Sequence, residues 1–118
     1  MTAERLLLIV QAFVYIGTGT WSVLSRTTFE RVTGPKTDYW LVRMVGLLAI
    51  VIGFSIFVGQ RSGTVSEPVR ILATGSALAF AGIDIRYAAT RRISRIYLLD
   101  AVFEVALAIS LASIWWLA

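Results

Sequence analysis

The chain has 118 residues, enough for one domain, and 58% of them are hydrophobic. That fraction exceeds the roughly 45–50% apolar usage of soluble domains and, with a mean hydropathy of +0.79, belongs to a membrane protein. With no cysteine and no histidine, thiol chemistry, disulfides, zinc sites of the usual kind and histidine-ligated haem are excluded, and no metal site is expected. The eleven Lys and Arg, against seven acids, flank apolar runs, so they are read as contacts with the phospholipid bilayer and not with nucleic acid.

Four apolar runs approach the roughly 20 residues needed to cross a ~30 Å hydrocarbon core. The first covers residues 6–24. Arg5 precedes it, as in a secretory leader, but no small-residue cleavage site follows, so a retained helix is expected. Residues 25–38 form a polar connection with Arg26, Glu30, Arg31 and Lys36 and a Gly34-Pro35 turn. Thr27, with Glu30 three residues on, matches a capping pattern. A short interfacial helix resting Phe29 and Val32 on the membrane is one reading of this stretch, and an irregular loop is the other.

The second helix is expected over residues 39–58, with Tyr39 and Trp40 as interfacial anchors. Arg43 stands about one turn inside it, and Gly46 and Gly53 mark a smooth stripe for a close neighbour. After a short polar turn, Pro68 opens the third helix, 68–89, where its missing N–H does no harm. Ala73, Gly75, Ser76, Ala77, Ala79, Ala81 and Gly82 are expected to serve close packing. Asp84, Arg86 and Tyr87 end this helix, and Arg91-Arg92-Ile93-Ser94-Arg95 makes a basic turn. The fourth helix, 96–117, finishes on the interfacial pair Trp115-Trp116.

The pattern predicts an all-α, integral membrane four-helix bundle forming a single domain over residues 1–118. Residues 5–17 align with residues 70–82, and Trp40-Leu-Val-Arg43 with Tyr97-Leu-Leu-Asp100. These matches suggest two parallel two-helix repeats in which Arg43 and Asp100 are equivalent. Loops one and three, with the bordering helix ends, hold eight basic residues, and the other side holds Arg5, Arg61 and Arg70. The bias places those loops in the cytoplasm and both termini outside.

Asp100 and Glu104, four apart, share one face of the last helix. At about 1.5 Å per residue, Asp100, Arg43 and Asp84 lie about 6–7 Å inside their helices and Glu104 about 12 Å. Charges at such depth cost several kcal/mol unless paired, solvated or protonated. Arg43 is therefore expected to pair with Asp100, Asp84 or both, Arg86 to help if it turns inward, and Glu104 to be protonated at neutral pH. Tyr15, Trp21 and Tyr97 are candidate ligand-binding groups beside Arg43. The cluster reads either as a structural ionic clasp or as the polar floor of a pocket, with Glu104, Asp100 and Asp84 as candidate catalytic carboxylates.

Val32-Thr-Gly-Pro-Lys-Thr-Asp-Tyr-Trp-Leu-Val-Arg43, leading into Val45-Gly46-Leu47 and Gly53, resembles the DoxX-like group of small bacterial four-helix membrane proteins. Phe29, Asp84, Ile93-Ser94 and Tyr97-Leu-Leu-Asp100 are similar to that group as well. The resemblance implies a bacterial cytoplasmic (inner) membrane location. It also implies association with quinone-linked or thiol-related membrane oxidoreductases, often as a subunit without its own cofactor. The lack of cysteine argues against a direct thiol role.

The first functional expectation is a non-catalytic subunit or binder of a lipid-like or quinone-like molecule. It has no intrinsic cofactor, and either a homodimer mate or a membrane oxidoreductase is its partner. The alternatives are a membrane-embedded acid–base enzyme of isomerase or cyclase type using Glu104, and a proton-coupled small exporter.

Overall fold

The computed structural model describes residues 2–90 and 92–117, so Arg91 of the basic turn lies outside the described residues. Among these residues the chain is all-α: α1 (Ala3–Leu24), α2 (Arg26–Thr33), α3 (Tyr39–Arg61), α4 (Glu67–Ala89) and α5 (Tyr97–Leu117). The four long helices are each apolar enough to cross a membrane, yet only 22–33% of each span is buried within the bundle. The outward residues are themselves large and apolar, including Phe13, Val51, Phe54, Leu78, Ile83 and Val102. Helices apolar all round need an apolar surround. The chain is a multi-pass membrane protein.

Lipid is as apolar as the core, so burying apolar area does little to hold such helices together, and close van der Waals packing does the work. Glycine supplies it between α1 and α3. A Cβ on Gly53 would sit 2.9 Å from the Ala12 carbonyl oxygen and from Ile16 Cγ1, and one on Gly46 would strike the Ser22 hydroxyl. Gly19 faces Gly46 with equally little room. The second close pair is α4 with α5. Ala73, Ala77 and Ala81, four residues apart, form one buried stripe, and Ala73 and Ala77 join Leu8, Ala12, Ile56, Leu107, Ala108 and Leu111 in the core. Gly75, Ala79 and Gly82 of α4 do not serve packing within this chain. Gly75 and Gly82 have open space where a Cβ would stand, and Ala79 is exposed.

The two halves correspond closely in their first helices. Leu8 and Ala12 of α1 and the equivalent Ala73 and Ala77 of α4 share the core, and Tyr15 meets its equivalent Phe80 edge to face, centroids 5.2 Å apart. In the second helices the register differs from the sequence alignment. Gly46, Ala49, Gly53 and Ile56 are buried in α3 as Ala101, Glu104, Ala108 and Leu111 are in α5. By burial Glu104 therefore corresponds to Ala49, and Arg43 does not correspond to Asp100. Packing against a neighbour sets this register, and similarity among apolar residues carries little information about it.

An ion pair ties the bundle at the end bearing the N-terminus. Arg70 donates to both oxygens of Glu4, at 2.9 and 3.0 Å, and Arg5 Nε donates to the carbonyl and side-chain oxygens of Gln60. These contacts join α4 to α1 and α1 to α3.

Candidate functional site: a carboxylate-floored cavity

At the opposite end the helices part around a cavity of about 440 Å³, walled by α1, α3, α4 and α5 and covered by α2. α2 exists because the chain turns at once after α1. Ser25, whose N–H caps the Trp21 carbonyl, also precedes the first turn of α2. The helix therefore starts before the expected Thr27 cap, and Glu30 takes another role. It accepts from the Lys36 backbone N–H at 2.7 Å and from Arg26 Nε at 2.8 Å, which folds the Gly34-Pro35 turn back on α2. Those bonds, the Lys36 N–H first and then Arg26, hold the Glu30 carboxyl below the usual carboxylate range.

Aromatic contacts fasten α2 over the mouth. Trp21 Nε1 donates to Thr28 Oγ1 at 2.9 Å, and the Trp21 and Phe29 rings meet edge to face at 5.0 Å. Phe29 in turn meets Tyr39. Trp40 is exposed, whereas Tyr39, also expected to be an interfacial anchor, is buried. The Tyr39 hydroxyl donates to the Ser22 carbonyl at 2.7 Å, and the guanidinium groups of Arg26 and Arg43 lie over its ring. Tyr39 is thus a strut between α1, α2 and α3.

The cavity floor carries Asp84, Asp100 and Glu104. Glu104 is 0% exposed, and both its oxygens accept from the Tyr15 hydroxyl, at 3.0 and 2.9 Å. That hydroxyl accepts from Gln11 Nε2 at 3.1 Å, and the same nitrogen donates to the Ala73 carbonyl at 2.8 Å. A chain of polar groups therefore crosses the bundle from α4 through α1 to α5. Asp84 is 5% exposed, and its Oδ2 has no hydrogen-bond partner. A buried carboxylate oxygen without a donor is costly; this one is closed off from solvent although the Asp84 residue lines the cavity, and the Asp100 carboxyl lies beside it.

The expected clasp is not formed. Arg43 is exposed, with its Nε directed to the Val23 carbonyl and its guanidinium on Tyr39, and it does not line the cavity. Arg86 is exposed and lies over the Tyr87 ring. Among the described residues the ion pairs are Arg26–Glu30 and Arg70–Glu4, neither of which involves the cavity acids. The physical reason is direction: Arg43 follows Tyr39 by one turn, so the ring and the Val23 carbonyl capture the guanidinium first. Depth along a helix does not say which way a side chain faces.

The remaining sequence-derived candidates meet at the cavity: Tyr15, Trp21 and Tyr97 line it together with the three acids. Sequence reasoning missed Gln11, which is 0% exposed. A signal was present, since Gln11 is the lone amide in the first apolar run and sits one turn before Tyr15 on the same face. Lys36 was also missed. It lines the mouth, donates to the Thr33 and Gly34 carbonyls, and lies 5.1 Å from the Tyr97 ring centroid and 5.7 Å from that of Phe29. No group of acids among the described residues is arranged to hold a metal ion.

Comparison with known proteins finds no matching family model, no matching curated protein and no matching solved structure.

Proposed function

We propose that this protein is a small membrane binding protein or non-catalytic subunit whose cavity takes up a lipid-like molecule, quinone-like compounds included. One observation carries the reading: an apolar cavity of about 440 Å³ ends on three acids. Sites of this kind, apolar with a few convergent polar groups, are the usual form of small-molecule pockets. A purely structural cluster would close on itself, and this one borders space. The rim includes Leu41 and Val45, which are exposed on the outward side of α3, so an amphiphile in the bilayer has a direct route in.

The resemblance to DoxX-like proteins fits the same reading. A bacterial inner membrane and a membrane oxidoreductase partner are what that resemblance implies, and a second copy of the chain is the other partner in this reading. The excess of basic residues around loops one and three puts the α2 end, and with it the cavity, on the cytoplasmic side. Reporter fusions at either terminus should be active outside the cytoplasm, and cytoplasmic activity alone would reverse the orientation.

A second reading, a membrane-embedded acid–base enzyme, draws on the Gln11–Tyr15–Glu104 chain, which holds a carboxyl in a fixed position at a cavity wall. Native mass spectrometry of the protein released from its own lipids tests the binding reading. A bound amphiphile is expected on the wild type and is expected to be lost from Val45→Trp, which narrows the mouth. Equal and empty spectra from both proteins would refute it.

A further inference from the structure

We propose that the molecule this protein holds is an anionic amphiphile, its chain in the apolar cavity and its phosphate or carboxylate head in a basic groove at the mouth. The inference rests on the binding function proposed above and names the ligand's head. The cavity continues past α2. Thr33, Lys36, Leu41 and Val42 line it and also line a second, open cavity of about 620 Å³ between the 34–38 connection and the 92–94 turn. The two differ in character. Val14, Val45, Ala49, Phe80 and Ile96 wall the first, whereas Lys36, Arg92, Thr37 and Ser94 line the second. An apolar chamber opening into a basic one matches a molecule divided in the same way, and basic pockets between membrane helices bind anionic lipid heads.

Lys36 joins the two spaces. Its ammonium has three donors and gives two of them to the Thr33 and Gly34 carbonyls. The ion pairs among the described residues are Arg26–Glu30 and Arg70–Glu4, so the Lys36 charge has no carboxylate partner there. A positive charge and one donor are left at the junction of chamber and groove. Arg92 adds a planar fork that matches phosphate or carboxylate. Asp38 is the acid lining the groove among the described residues, and two cations against it leave the groove positive. The cavity acids stay apart from it: Asp84 and Asp100 lie carboxyl beside carboxyl, and Glu104 accepts from Tyr15. The bias that orients membrane proteins accounts for Arg31, Arg43, Arg86 and Arg95, which are exposed and line neither cavity. It does not account for a half-buried lysine that lines both.

The test is native mass spectrometry of the full chain in a neutral detergent with equal amounts of phosphatidylglycerol and phosphatidylcholine, matched in their chains. Phosphatidylglycerol is expected to be retained about tenfold more. Lys36→Gln should lower that preference about fivefold, and Arg92→Gln, at an exposed site, serves if Lys36→Gln does not fold. Asp38→Asn keeps a residue type that tolerates the left-handed backbone at φ 51, and it should raise the preference. Arg43→Gln, outside the groove, should leave it unchanged; a loss there equal to that of Lys36→Gln would assign the lipid to the basic surface at large and overturn the groove. Phosphatidylglycerol retained in full by Val45→Trp would separate head from chamber and overturn the inference as well. Equal retention of the two lipids would overturn the anionic head and leave the binding function standing, whereas retention of neither would overturn both. Adduct masses on protein extracted from its own membrane decide the source, a two-chain phospholipid or a free fatty acid.

Discussion

Removing the Tyr15 hydroxyl tests the polar chain directly. Glu104 is 0% exposed and receives its side-chain hydrogen bonds from this one donor, at 2.9 and 3.0 Å. Hydrogen bonds to charged groups contribute about 1.5–3 kcal/mol in soluble proteins. Side-chain bonds between membrane helices average about 0.6 and reach about 1.7 kcal/mol. The upper membrane figure applies, because Tyr15→Phe strands a buried carboxyl with no second side-chain donor, and a loss of about 1.5 kcal/mol is expected. Glu104→Leu alone should cost about 1 kcal/mol by leaving the tyrosine hydroxyl with only Gln11. The double change removes donor and acceptor together, so its cost should fall short of the sum by about 1 kcal/mol. Reversible unfolding in mixed micelles measures all three variants. Losses additive to within about 0.5 kcal/mol would show that the two side chains are not coupled and that the polar chain is not a unit.

The two ends of the bundle should respond differently to loss of an arginine. Arg70→Met breaks the paired Glu4, which is 8% exposed, and should cost about 1–2 kcal/mol, less than a fully buried pair because the arginine is partly solvated. Arg43→Ala, at an exposed site, should change the melting temperature little, and a large loss there would restore the clasp to the cavity. Gly53→Val should cost at least about 1–3 kcal/mol by driving α1 from α3, while Gly75→Ala, with open space at its Cβ, should be close to neutral; equal losses would contradict the packing described. For Glu30 the folded pKa lies below the unfolded value of about 4.3. Its contribution to docking α2 is therefore present above that value and lost as pH falls through the folded pKa. Trp21 emission should shift to the red over that acid range in the wild type and not in Glu30→Gln, and identical titrations would show that Glu30 does not hold α2.

Much of the architecture was legible in the chain because lipid imposes a length and a polarity on any helix that crosses it. Runs of that length, bounded by Gly34-Pro35, Pro68 and the basic turn, were enough to locate α1, α3, α4 and α5 to within a few residues, and the Gly46–Gly53 stripe marked where a neighbour comes close. The acids of the cavity were legible too, since Asp84, Asp100 and Glu104 stand out inside apolar runs and their depth follows from helix rise alone. Partners were not. Whether Arg43 meets an aspartate or a tyrosine ring depends on the rotation of α3 about its axis and on what α2 brings beside it, and neither is written in the spacing of residues along one helix. The same holds for Glu4 and Arg70, which are 66 residues apart, and for Gln11, Tyr15 and Glu104, whose bonding requires three helices to meet. Sequence sets depth along each helix through the membrane's fixed thickness, and only the packing of helices against one another sets azimuth, which decides which charge is paired and which faces empty space.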